Sequence, residues 1–275
     1  MNILPSLPLW LAGTILIALC FLGSELGQFV HRWISKHRPT AAEKETSRVD
    51  MEGFIIGSVF GLFAFIVGFT FSIAIDRFDT RRLIVSEEAN AINTSFLRAS
   101  LLDEPDRVPL QLILREYART RISPEDLPLK GMLTQLNRSH DLRDRLWSTA
   151  RTSVMPYRDS DLGVSVAESV NDVIGIGRRR ELAGRAHIPD RVMDALILYL
   201  IASSALLGYL TAEQPYRLRA ASSLLFVLMA LAIVLILDLD RPRSGSILVP
   251  QTAIQEVVDA LDRMKLPTRT PTLQN

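Results

Sequence analysis

Four histidines, a single cysteine and a run of three arginines are the side chains in this 275-residue chain whose types first suggest chemistry. A zinc site needs three or four clustered ligands, whereas His31 and His37 have no ligand-type neighbours, and His140 and His187 each sit alone on or near predicted helices. Neither pair is accompanied by a Ser, Cys or Asp motif that would activate a nucleophile. The sole Gly-x-Gly, Gly175-Ile176-Gly177, runs inside a helical pattern straight into Arg178-Arg179-Arg180, so it is neither a phosphate loop nor a dinucleotide fingerprint. No enzyme, metal or cofactor is expected. The arginine triplet reads as a solvated or lipid-headgroup-facing surface, with attraction of anions the sharper alternative. Cys20 follows Leu19 where a lipoprotein site wants a small residue, and reads as a small apolar side chain in a membrane.

The charges that do fall into a pattern stand at the ends of apolar runs. Residues 53–75 carry no charge and are long enough to cross a hydrocarbon core about 30 Å thick, which takes about 20 apolar residues. With no Gly or Pro to interrupt it, the same helix goes on through the amphipathic stretch 76–98, opening with Asp76, Arg77, Asp79, Arg81 and Arg82. Its spanning half sets Gly53, Gly57, Gly61, Ala64, Gly68 and Ser72 along one stripe, a surface for close approach of another backbone. The opposite side, with Ile55, Val59, Phe63, Ile66 and Ile73, is bulky and suits lipid or a narrow apolar constriction. Three further apolar runs, 7–24, 195–211 and 220–237, complete four spans, with Asp194 before the third and Asp238, Asp240 and Arg241 closing the fourth. Ser203, Ser204 and Gly208 give the third span a small-residue patch.

Between the second and third spans the pattern is helical throughout. Leu83, Ile92, Phe96 and Leu97 continue the long rod. Leu110, Ile113, Leu114 and Tyr117 mark a helix over 105–122, with Asp103 as its N-cap. Leu133, Leu136, Leu142, Leu146 and Trp147 mark another over 130–154, after breaks at Pro124 and Pro128, and a fourth covers 160–187. Residues 25–52 read as a solvated connector, and the tail carries a short helix with Ile254, Val257, Val258 and Leu261 on its apolar side. The fold class is therefore all-α: a membrane protein with four transmembrane helices and a helical aqueous domain between spans two and three. Its parts are 1–75 (two spans and connector), 76–191 (aqueous domain), 192–240 (transmembrane hairpin) and 241–275 (tail). Composition agrees, with 48% hydrophobic against 22% charged residues and a mean hydropathy of +0.20. Lys plus Arg number 31 against 30 Asp plus Glu, so no charge excess points to nucleic acid.

Two blocks carry a family resemblance. The first is Gly68-Phe69-Thr70-Phe71-Ser72, Asp76-Arg77-Phe78-Asp79, Arg81-Arg82 and Glu87-Glu88-Ala89-Asn90-Ala91; the second is Leu237-Asp238-Leu239-Asp240-Arg241-Pro242, followed by Gly245. Over roughly 53–260 the chain resembles the bacterial bestrophin-like membrane proteins, a group distantly similar to bestrophin channels. That resemblance implies a homo-oligomer, a pentamer as in bestrophins, whose second span lines an ion pore and runs on into a helical vestibule. The chain lacks the tryptophan-rich stretch and the acidic tail run of true bestrophins. A different class of function is a non-conducting scaffold or sensor whose helical part binds a partner.

Chain geometry brings the ends of spans two, three and four to one membrane face, which gathers Asp76, Arg77, Asp79, Arg81, Arg82, Asp194, Asp238, Asp240 and Arg241 in one thin layer. Charges losing hydration there should pair, so an ion pair is expected between the 76–82 and 238–241 segments. Ten Lys or Arg residues lie beside the spans on the side of the helical domain and seven on the other. That bias puts the domain and both termini in the cytoplasm of a bacterium, with the spans in its inner membrane.

Overall fold

The computed structural model describes residues 7–37, 45–122, 129–213, 216–242 and 245–264. The breaks at Pro124 and Pro128 lie outside them. Among the described residues the chain is α-helical with a single 3-10 turn at Met155–Tyr157 and no strand. Its helices are α1 (Leu9–His37), α2 (Glu45–Ala99), α3 (Glu104–Thr120), α4 (Leu129–Val154), α5 (Asp161–Arg185), α6 (Asp190–Leu210), α7 (Tyr216–Asp240) and α8 (Thr252–Arg263). Four helical stretches are long and apolar enough to cross a membrane, as the sequence requires. The chain divides into two compact units, one of residues 1–78 and 187–247, the other of 79–186 and 248–275.

In the first unit α1 does not stop at residue 24. It runs on to His37, through what the sequence suggests is connector, because its second half has a partner. Gly23, Ser24, Gly27 and Gln28 are buried against the small-residue patch of α6. A Cβ on Gly27 would overlap the backbone of Ala205, and one on Gly208 the backbone of Ser24, so the two helices touch main chain to main chain. Such contact is how helices associate where lipid removes the hydrophobic drive. At the far end His31 stacks edge-on against Tyr209, centroids 5.0 Å apart, and meets Glu213 at 3.1 Å. Leu16, Leu196, Leu200 and Ile233 fill the space between α1, α6 and α7 with no exposure.

The second unit is built on the aqueous half of α2. Val85, Ala89, Ile92 and Phe96 recur at three and four and bury one stripe against Leu110, Leu114 and Tyr117 of α3, Leu142 and Leu146 of α4, and Val166, Val170 and Val173 of α5. Each of the larger side chains contributes about 1.5–3 kcal/mol by leaving water. Leu83 and Leu97, which also continue the rod, are 62% and 47% exposed, because they fall nearly half a turn and about a third of a turn away from that stripe. Trp147 is likewise outside the apolar side of α4, at 47% exposure. Asp103 precedes α3 with extended backbone as an N-cap should, but its carboxylate takes the Tyr157 hydroxyl at 2.7 Å rather than a helix amide. The tail helix α8 buries Ile254, Val258 and Leu261 in the same core. Arg115 of α3 donates to the carbonyls of Leu261 and Met264, placing positive charge at the negative end of α8.

Candidate functional site

The spanning half of α2 differs from the other spans in how little it packs. Only 11% of its most apolar stretch is buried, against 28% for α1 and 33% for α7. A Cβ built on Gly53, Gly57, Gly61 or Gly68 meets nothing within 4 Å, and Ser72 is exposed beside them. The bulky side is where the expectation needs correcting. Phe63 is 5% exposed and stacks on Tyr199 with centroids 6.2 Å apart, and Ile66 packs half-buried into the same core, so neither faces lipid nor a constriction. The reason is that α2 needs an inward stripe of its own, and its β-branched and aromatic residues at 63, 66 and 67 provide it. The outward face instead carries Phe54, Phe65 and Phe69, 63–75% exposed, among the glycines. Positions 54, 58, 61, 65, 68 and 72 follow steps of three and four, a signal that reading the glycines alone passed over.

The charges at the ends of the spans are used in several ways. Asp238, buried at the end of α7, accepts from the backbone N–H of Ser246 at 2.6 Å, from the Ser246 hydroxyl, and from the N–H of Ile247 at 3.5 Å. It is the anchor of the turn that follows the last span, and Gly245 is required there because a Cβ would overlap the Asp238 carboxylate. Asp240 accepts from the N–H of Ile188 at 3.0 Å and meets His187 at 3.4 Å, tying the end of α7 to the start of α6. Arg241 donates to the Leu7 carbonyl at 2.6 Å. Arg81, buried in the other unit, donates to the carbonyls of Ala183 and Ala186 at 3.1 and 2.6 Å and so closes the C-terminus of α5. Asp76, Asp79, Arg82 and Asp194 are exposed and Arg77 is half-buried.

A second charged cluster lies inside the aqueous unit, where the sequence suggested only surface. Glu88 has no exposure. Arg121 Nε stands 2.7 Å from one of its oxygens, to which the Tyr117 hydroxyl donates at 2.9 Å, while Arg180 Nη1 donates to the other at 2.7 Å. Burial alone would push this carboxyl up, but the guanidiniums of Arg121 and Arg180 and the two hydrogen bonds outweigh it and hold Glu88 below the ordinary carboxylate range. Burial and the neighbouring carboxylate push Tyr117 up. Arg180 also reaches Gln251 and Arg121 reaches Ser139, so the network ties α2, α3, α4, α5 and the start of α8. Gly177 lies where a Cβ would overlap the Tyr117 hydroxyl, which explains the Gly-x-Gly run as packing room. The arginine triplet therefore divides by helical phase. Arg180 points into the core, Arg179 pairs with Glu87 on the surface at 3.0 Å, and Arg178 is exposed. His140 is not alone either: it meets Glu181, which also holds Arg143 at 2.9 Å.

Four helices long and apolar enough to cross a membrane, two of them in main-chain contact, and a helical unit with a buried charge network mark an integral membrane protein of all-α build. The Bestrophin-like domain family matches residues 22–254, and the chain belongs to that family. Its structure is similar to a mutant of a bacterial bestrophin homolog from Klebsiella pneumoniae, with a TM-score of 0.56 and 14% identity, over 90% of this chain and 96% of that one. No curated protein matches the sequence.

Proposed function

We propose that copies of this chain assemble around the outward face of α2 into an ion-conducting pore, with five subunits as the number implied by the resemblance. The observation that carries this reading is the near absence of packing on that face within one protomer, combined with residues on it that suit close contact and passage: four glycines, Ser58 and Ser72 among three phenylalanines. A helix whose only neighbour was lipid would have no use for a glycine stripe, since each glycine costs about 1 kcal/mol against alanine in a helix interior. The helical domain continues from the same helix and forms the vestibule. The bias of basic residues puts that domain and the termini on the cytoplasmic side of a bacterial inner membrane.

Purified protein is tested by light scattering for its mass and in planar bilayers for current. The reading expects a closed oligomer with unitary currents. An intact oligomer that stays silent under all ionic conditions would replace the channel with a non-conducting scaffold.

A further inference from the structure

Antiparallel helices α4 and α5 enclose between them a cleft of about 500 Å³ on the aqueous unit, within the size range of small-molecule sites. Its charges are unevenly matched. At mid-length Glu181 holds Arg143 at 2.9 Å and His140 at 3.2 Å, a closed group. One turn to either side along α5, Arg178 and Arg185 line the cleft with no hydrogen-bond or ion-pair partner among the described residues. At 1.5 Å per residue their backbones stand about 10 Å apart along α5, so their guanidiniums can spread over an extended polyanion. Trp147 lies one turn beyond Arg143 on α4, beside Ile174, and so sits past Arg178 at the end away from Arg185. Trp147 is 47% exposed, a large aromatic side chain partly open to the cleft. The order along the cleft is thus an aromatic platform with Asn171 at its edge, a free guanidinium, a neutralised pair, and a second free guanidinium. Asp144 is the one acid in the lining without a partner among the described residues, so cations prevail.

We infer that this cleft binds a nucleoside di- or triphosphate, with the base stacked on Trp147 and the phosphates on Arg178 and Arg185. The ring at one end and the extended anion at the other follow the order of the lining. Guanidiniums match phosphate oxygens by two parallel bonds, and the amide of Asn171 faces a base edge. No glycine loop contributes backbone donors, so affinity rests on the arginines and weakens with salt.

The test uses the full chain in detergent with Trp10→Phe and Trp33→Phe, which leaves Trp147 as the only tryptophan. Adenosine triphosphate should quench its emission saturably below about 10 mM, and Arg178→Gln or Arg185→Gln should weaken this by at least about tenfold. Arg178→Lys, which keeps the charge but loses the fork, should fall between. Tripolyphosphate should compete without quenching, and adenosine should bind far more weakly than the triphosphate. The inference is overturned by an absence of saturable quenching, by equal response in the arginine variants with unchanged circular dichroism, or by tripolyphosphate binding as tightly as the nucleotide. It is also overturned if acrylamide fails to reach Trp147 in the assembled protein, since another copy would then cover the cleft.

Discussion

Glu88→Gln removes one charge and almost no volume from the centre of the aqueous unit, and the structure sets the size of the effect. The side chain has no exposure and faces two guanidiniums at 2.7 Å and a phenol at 2.9 Å, all of them donors. An amide offers a single acceptor oxygen and turns its NH₂ toward donors. Arg121 and Arg180 would compete for that one oxygen, with Ser139, Glu181 at 3.7 Å and Gln251 as their remaining polar neighbours. Breaking a buried ion pair by removing one partner costs about 3–5 kcal/mol, a large part of the roughly 5–15 kcal/mol that holds a domain folded. Urea unfolding followed by Trp147 emission, with Trp10 and Trp33 replaced, reads the stability of this unit alone. The sign of the pH dependence follows from the lowered carboxyl. The Glu88 contribution is complete above the ordinary carboxylate value of about 4.3 and is lost as pH falls through its lower folded value, so wild type should lose stability there while Glu88→Gln loses less. A Glu88→Gln penalty under about 1 kcal/mol would refute the reasoning, since that is the worth of an ordinary hydrogen bond.

Gly27→Leu should abolish stable expression of the first unit by overpacking the α1–α6 contact, at about 1–3 kcal/mol or more, whereas Gly57→Leu should leave the protomer folded and instead reduce the oligomer seen by light scattering. Gly245→Ala should lower the thermal midpoint because the new methyl displaces the Asp238 carboxylate from the turn after α7, and Asp238→Asn should cost less than that. Cysteine at Arg138, 64% exposed, with Cys20→Ala, should stay unlabelled by an impermeant thiol reagent in intact cells; ready labelling would reverse the assigned orientation.

Much of the fold is legible because long apolar runs and helical spacing leave few alternatives. The buried stripes of α3 and α8 follow from Leu110, Ile113, Leu114 and Tyr117 and from Ile254, Val258 and Leu261 directly. What the pattern hides is partnership. Residues 25–37 look solvated until Ala205 and Gly208 are seen against Gly27 and Ser24, since a helix with Arg and His on its outer side can still hold a backbone contact on the other. Glu88 and Arg180 look like surface because their neighbours Glu87 and Arg179 are; one helical step separates an exposed pair from a buried one, and only the stripe Val85, Ala89, Ile92 shows that 88 falls on the inner side. Phe63 and Phe65 illustrate the same limit in the span, where apolar residues on both sides conceal which side is inward.

The central claim, that the outer face of α2 lines a shared pore, is tested most directly by placing cysteine on it. With Cys20→Ala, Gly61→Cys should render unitary currents in planar bilayers sensitive to a water-soluble thiol reagent, because the new side chain meets open space within the protomer and water in the pore. Leu231→Cys on α7, where the native residue is 59% exposed, should conduct unaffected. Block at Leu231→Cys with none at Gly61→Cys, or currents indifferent to both, would contradict the account.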